Sequence, residues 1–177
     1  VHRMPVVAAS DNLTQQEADA FALSALTISA QADGAAFVLL LSPKAAARLA
    51  VQAKAACIAT ASVGSAPEFP LMAAEFAARE ALKRAGWADA STLQLIELHD
   101  AFAVQGLSFA KGLAIAPERF NTMGGGIARG HPIGASAAIA LVRLLADLDR
   151  NGKSGAHGLV AVAGAGGLGA AAVVSKL

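Results

Sequence analysis

The run Asn121-Thr122-Met123-Gly124-Gly125-Gly126-Ile127-Ala128-Arg129-Gly130-His131-Pro132-Ile133-Gly134-Ala135-Ser136 concentrates residue types able to do chemistry. Three consecutive glycines let the backbone approach a bound molecule and adopt positive φ without a Cβ penalty. His131 follows, between a glycine and a proline. Pro132 fixes its own φ and biases His131 away from helical geometry, so the imidazole sits on a rigid turn ahead of an alanine-rich run that predicts a helix. An imidazole held in one place is a proton acceptor or hydrogen-bond donor near neutral pH. A second candidate, His99, ends the apolar run Leu93-Gln94-Leu95-Ile96-Glu97-Leu98. That run reads as a strand, and ligands of open α/β sheets bind at the C-terminal ends of strands. His2 and His157 read as surface residues.

The elements that must position these groups follow from patterning. Residues 1–12 read as irregular. Thr14 and Glu17 form a capping-box pattern that opens a helix to about Leu26. Residues 35–41, continuously apolar after Asp33-Gly34, read as a fully buried strand. Ser42-Pro43 predicts an N-cap and first helical residue, with a short helix to about Ala50. A strand is expected over 54–62, with Cys57 inside it as a small buried hydrophobe. Beyond Pro67 and Pro70, helical spacing of apolar residues predicts a helix over 71–85, stopped at Gly86. Then come the strand 93–98, a helix 103–112, the Gly-His-Pro turn, a helix 134–150, and strands 159–163 and 170–174 joined by the glycine-rich loop 164–169.

Bulk properties narrow the class. The 177 residues are 55% hydrophobic and 15% charged, with a formal net charge of +1. That length suits one domain with a sizeable core. Near-neutral charge offers no electrostatic argument for nucleic acid or a membrane surface. No uninterrupted apolar segment reaches the ~18 residues of a membrane span. The single cysteine excludes an internal disulfide and a multi-cysteine metal site, and fits a reducing, cytoplasmic setting. No signal-peptide pattern is evident at Val1. The apolar excess is accounted for by sheet faces buried on both sides and a large partner interface.

Four segments in order resemble the motifs of the thiolases, which transfer acyl groups between, and condense, coenzyme A thioesters. Ser29-Ala30-Gln31-Ala32-Asp33-Gly34-Ala35 is similar to the family's Ser-Gly-x-Asn-Asp-Gly-Ala stretch. His99-Asp100-Ala101-Phe102-Ala103 resembles Asn-Glu-Ala-Phe-Ala in the His-Asp form of sterol-carrier-protein-type thiolases. The Gly-His-Pro segment is the third match. Ala163-Gly164-Ala165-Gly166-Gly167-Leu168-Gly169 resembles the terminal Cys-x-Gly-Gly-Gly-x-Gly loop. The resemblance implies the C-terminal half of the layered αβαβα fold, with a mixed five-stranded sheet between helices. Residues 1–52 would end the loop region and first domain, and 53–177 would form the second.

By the same resemblance, His131 activates a nucleophilic cysteine and helps hold a thioester oxygen. His99 donates to a second oxyanion position, directly or through water. The backbone N–H of Ala165 faces the acyl-enzyme oxygen, a place where donors stabilise developing charge. Ser29 and Phe102 contact the pantetheine arm. No metal and no permanently bound cofactor is implied; a coenzyme A thioester is the substrate, which places the chain in lipid metabolism.

Two thiols of the family pattern are absent. No cysteine occupies a nucleophile position, and Ala163 stands where the acid/base cysteine belongs; Ala101 occupies the alternative position in the His-Asp motif. The leading reading is therefore the C-terminal subunit of a split acyltransferase. A partner chain carrying the N-terminal half would supply the nucleophile, within a higher dimeric assembly. Two alternatives stand beside it: a degenerate scaffold or thioester-binding subunit, and a subunit of a thiolase-fold aldolase.

Overall fold

The computed structural model describes residues 23–177. Four strands build one mixed sheet in the order β1-β4-β3-β2: β1 (Ala55–Gly64), β2 (Leu93–Leu98), β3 (His157–Gly164) and β4 (Leu168–Lys176). β4 runs antiparallel to both β1 and β3, whereas β2 and β3 are parallel. A parallel pair needs a long crossover. Here it contains α3 (Ala103–Gly112), the one-turn α4 (Gly126–Arg129) and α5 (Ser136–Asn151). His99 and the Gly-His-Pro segment lie in this crossover, so the topology brings them to the C-terminal ends of β2 and β3.

Helices cover both faces. α2 (Ala73–Arg84) lays Ala74, Ala77, Ala78, Ala81 and Leu82 against Leu159, Ala161, Ala171 and Val173. On the other face, α5 packs Ala140, Leu144 and Leu148 against Val160 and Val174. Neighbouring strand residues point to opposite faces, so β3 and β4 feed both cores with unbroken apolar runs. The helix expected from Ser42 is α1 (Pro43–Arg48); the Ser42 hydroxyl accepts from Ala45 N at 3.2 Å.

Several expectations need correction. The sheet has four strands among the described residues, not five. Residues 35–41 form no strand, and Phe37 is 93% exposed. An apolar run makes a strand only where backbone partners exist, and this one has none among the described residues. Cys57 is exposed rather than buried. β1 is a sheet edge among the described residues, and α5 packs chiefly on β2 and β3, so the face of β1 that carries Cys57 has no covering helix among them. Residues 1–22, including most of the helix predicted from Thr14, lie outside the described residues. At its far end, Ala25–Thr27 is a single 3-10 turn, because Ile28 leaves to pair with Phe102. His157 is half-buried, its ring 4.7 Å from that of Trp87.

Candidate active site

β2 ends at Leu98, and the next residue continues its line: His99 N donates to Ala161 O of β3 at 3.2 Å. The His99 side chain is 3% exposed. Its ring lies under the glycine run, and close approach explains the glycines there. A Cβ on Gly126 would stand 2.7 Å from His99 Cε1, and one on Gly125 would overlap the Asp100 carboxylate. Asp100 Oδ1 accepts from Gly126 N, and Asn121 Nδ2 donates to the same oxygen at 3.3 Å. Asn121 Oδ1 in turn accepts from Leu98 N at 2.8 Å. The carboxylate and amide thus tie the glycine run to the end of β2.

α4 then delivers Gly130 and His131. His131 N donates to Ala30 O at 2.6 Å, and Gln31 bridges His131 in parallel. Ser29 joins the same junction: its hydroxyl donates to Gly126 O at 2.6 Å and its N–H to Ala101 O at 2.8 Å. Segments far apart in sequence therefore meet, Ser29 and Gly126 being 97 positions apart. The His99 and His131 ring centroids are 4.1 Å apart, with the planes tilted by 32°.

The protons of His131 can be assigned from its partners. Ser136 Oγ donates its only proton to Pro132 O at 3.0 Å. With the hydroxyl proton on Pro132 O, the 2.8 Å contact between His131 Nδ1 and Ser136 Oγ is N–H donation from the imidazole. That leaves Nε2 with the lone pair, the arrangement of a base. Burial holds the His131 pKa below its usual value. His99 is pushed down to about 4 by burial, aided by the charges of His131 and Arg129. Both rings are neutral at pH 7, and the buried His99 Nε2 has no hydrogen-bond partner among the described residues. A neutral pair with one free base nitrogen and one orphaned ring nitrogen can accept a proton and hold an oxygen or a water.

Of the other candidates, Phe102 is half-buried in extended geometry just before α3. Ala165 is exposed in the β3–β4 turn, at the same end of the sheet as His99. A groove of about 450 Å³ begins beside His131, between residues 32–36 and Pro132–Ala138. Cys57 is remote: it pairs with Val174 toward the other end of the sheet, on the edge opposite β2. Sequence reasoning missed Ser136 as the Nδ1 partner, and missed the Asp100–Asn121 tie. A serine at the start of the helix after a Gly-His-Pro turn was the available signal for the first.

The comparisons with known proteins bear on the family and the fold. Residues 51–176 match the family model described as thiolase, C-terminal domain. The chain belongs to the thiolase family. It is 40% identical over 144 residues to an acetyl-CoA acetyltransferase of Chromobacterium violaceum, covering 81% of this chain and 36% of that protein. It is 37% identical over 156 residues to acetyl-CoA acetyltransferase 1 of Arabidopsis thaliana, covering 88% and 37%. The crystal structure of the Bacillus anthracis acetyl-CoA acetyltransferase superposes with a TM-score of 0.73 at 29% identity, over 77% of this chain and 34% of that one. The mixed sheet with helices on both faces matches the C-terminal half of that fold. The chain spans little more than a third of the length of these relatives.

Proposed function

We propose that this chain supplies the histidine half of a coenzyme A thioester acyl-transfer site. The observation that carries the reading is the pairing of the His99 and His131 rings, centroids 4.1 Å apart, beside the glycine run. His131 Nε2 takes the proton of a cysteine thiol; the thiolate attacks the thioester carbonyl, and coenzyme A leaves as its thiol with the proton that His131 returns. His131 and the Ala165 N–H stabilise the oxyanion, and His99 serves the oxygen of the second step, directly or through water. Ser29 and Phe102 line the path of the pantetheine arm. In this reading residues 1–52 close the first domain and 53–177 form the second.

The nucleophile comes from outside these residues. Cys57, the chain's one thiol, lies toward the wrong end of the sheet. We assign the nucleophile to a separate cytoplasmic chain with the N-terminal half of the fold, assembled further into dimers. No described helix is long and apolar enough to cross a membrane. The Ala163 substitution favours one other reading, a thioester-binding subunit without chemistry. Release of coenzyme A thiol from acetyl-CoA by the assembled chains distinguishes them. The acyl-transfer reading expects release that His131→Ala reduces by about 10²–10³-fold or more, the usual effect of removing an oxyanion donor. Undiminished release in that variant refutes it, and no release from the wild-type assembly leaves the binding subunit.

A further inference from the structure

Glu97 lies two residues before His99 and, by strand alternation, on the same face of β2. It is 2% exposed, and neither carboxylate oxygen has a hydrogen-bond partner among the described residues. Its neighbours are guanidiniums: Arg143 Nε at 3.6 Å and Arg129 Nη2 at 3.8 Å. These are ion-pair separations, too long for direct hydrogen bonds. The two arginines direct other N–H groups at the glycine run. Arg129 Nε donates to Gly125 O at 3.0 Å. Arg143 Nη2 donates to Met123 O at 2.7 Å and Gly124 O at 3.1 Å. Three consecutive carbonyls therefore end on two guanidiniums gathered around one buried carboxylate. Glycines have no side chains with which to hold their own backbone, so the peptide planes must be fixed from outside.

We infer that Glu97, Arg129 and Arg143 are positioning residues, an ionic clamp that sets the glycine run over His99 and thereby the approach of His131. None of the three is assigned a contact with substrate. The geometry joins clamp and pair directly. Gly126 backs onto the His99 ring, and Gly130 N closes α4 on Gly126 O at 2.8 Å immediately before His131. Arg129 also adds to the field that keeps His99 neutral. The catalytic meaning of the clamp rests on the acyl-transfer reading; its effect on the turn does not.

Amide hydrogen exchange on the full chain tests the clamp, with Glu97→Gln, Glu97→Asp and Arg143→Lys. At pH 8, above the value of about 7 to which burial raises Glu97, its carboxylate is ionised and Glu97→Gln leaves two guanidiniums without a counter-charge. Exchange at Gly124, Arg129 and Gly130 should then rise by about tenfold, the scale of one lost charge-assisted hydrogen bond. Leu159 and Val173, at the centre of the sheet, should keep their wild-type rates. Glu97→Asp should restore most of the protection. Arg143→Lys keeps the charge but loses the fork, and should speed exchange at Gly124; it decides the matter should Glu97→Gln fail to fold. In the assembled enzyme the clamp predicts a lower kcat at unchanged KM. Wild-type exchange over 124–130 in both Glu97→Gln and Arg143→Lys overturns the proposal, as does equal acceleration throughout the sheet, which would make Glu97 an ordinary core residue. If exchange responds as expected while the wild-type assembly transfers no acyl group, the clamp stands and the acyl-transfer reading falls.

Discussion

At the scale of single residues, the assignment of His131 Nε2 as a base depends on Ser136. Removing that hydroxyl frees Nδ1 to take either tautomer. Ser136→Ala should lower the acylation rate roughly tenfold, matching the ~1–1.5 kcal/mol of a hydrogen bond. Imidazole ¹⁵N shifts should show mixed tautomers; a single unchanged tautomer would contradict the assignment. Glu97 and His99 make opposite pH predictions. Burial raises Glu97 from 4.5 to about 7, so its contribution to stability is present at acid pH and lost as pH rises through 7. Burial lowers His99 from 6.5 to about 4; its contribution is present above 6.5 and lost as pH falls through 4. The two slopes oppose each other between about 4.5 and 6.5. Glu97→Gln should remove one of them, so the variant's stability climbs with pH over that window more steeply than the wild type's. Urea midpoints at pH 4.5, 5.5 and 6.5 read this directly, and parallel profiles would contradict the Glu97 assignment. Arg129, Arg143 and Asp147 face Glu97, so the comparison is cleanest at constant ionic strength.

Among the elements, α5 joins the site to the second core. Leu144 is fully buried on its inner face, and its Cδ1 stands where a Cβ on Gly158 would come within 2.8 Å. Leu144→Ala should cost about 2–5 kcal/mol by denaturant unfolding, as buried leucine truncations do. A cost below 1 kcal/mol would mean that this helix is not packed as described. The elements that were legible in sequence carry their own signals. α2 has helical apolar spacing and a glycine stop, α1 has Ser-Pro, and β2 and β3 have short β-rich runs between turns. Residues 35–41 were misread because a buried strand is defined by neighbours rather than by composition. The glycine run was legible as a site, yet its fixing by Glu97, Arg129 and Arg143 was not, because those charges come together only in the crossover.

At the scale of the whole molecule, the chain is the C-terminal portion of a thiolase fold. Phe37, Leu39 and Leu40, in the segment read as a buried strand, are exposed. The motifs made both histidines legible, whereas the exposure of Cys57 depended on knowing that β1 is an edge with one uncovered face. Cys57 should accordingly react with a small thiol reagent in the native chain as fast as in the unfolded one. A lag removed by denaturant would restore the buried reading. The account's central claim is that His131 activates a cysteine while His99 acts afterwards. Its most direct measurement is the mass of the cysteine-bearing chain after mixing with acetyl-CoA and each variant of this chain. The account predicts an acetyl adduct with wild type and with His99→Ala, and none with His131→Ala on the same timescale. Equal adduct formation with His131→Ala and wild type would contradict it.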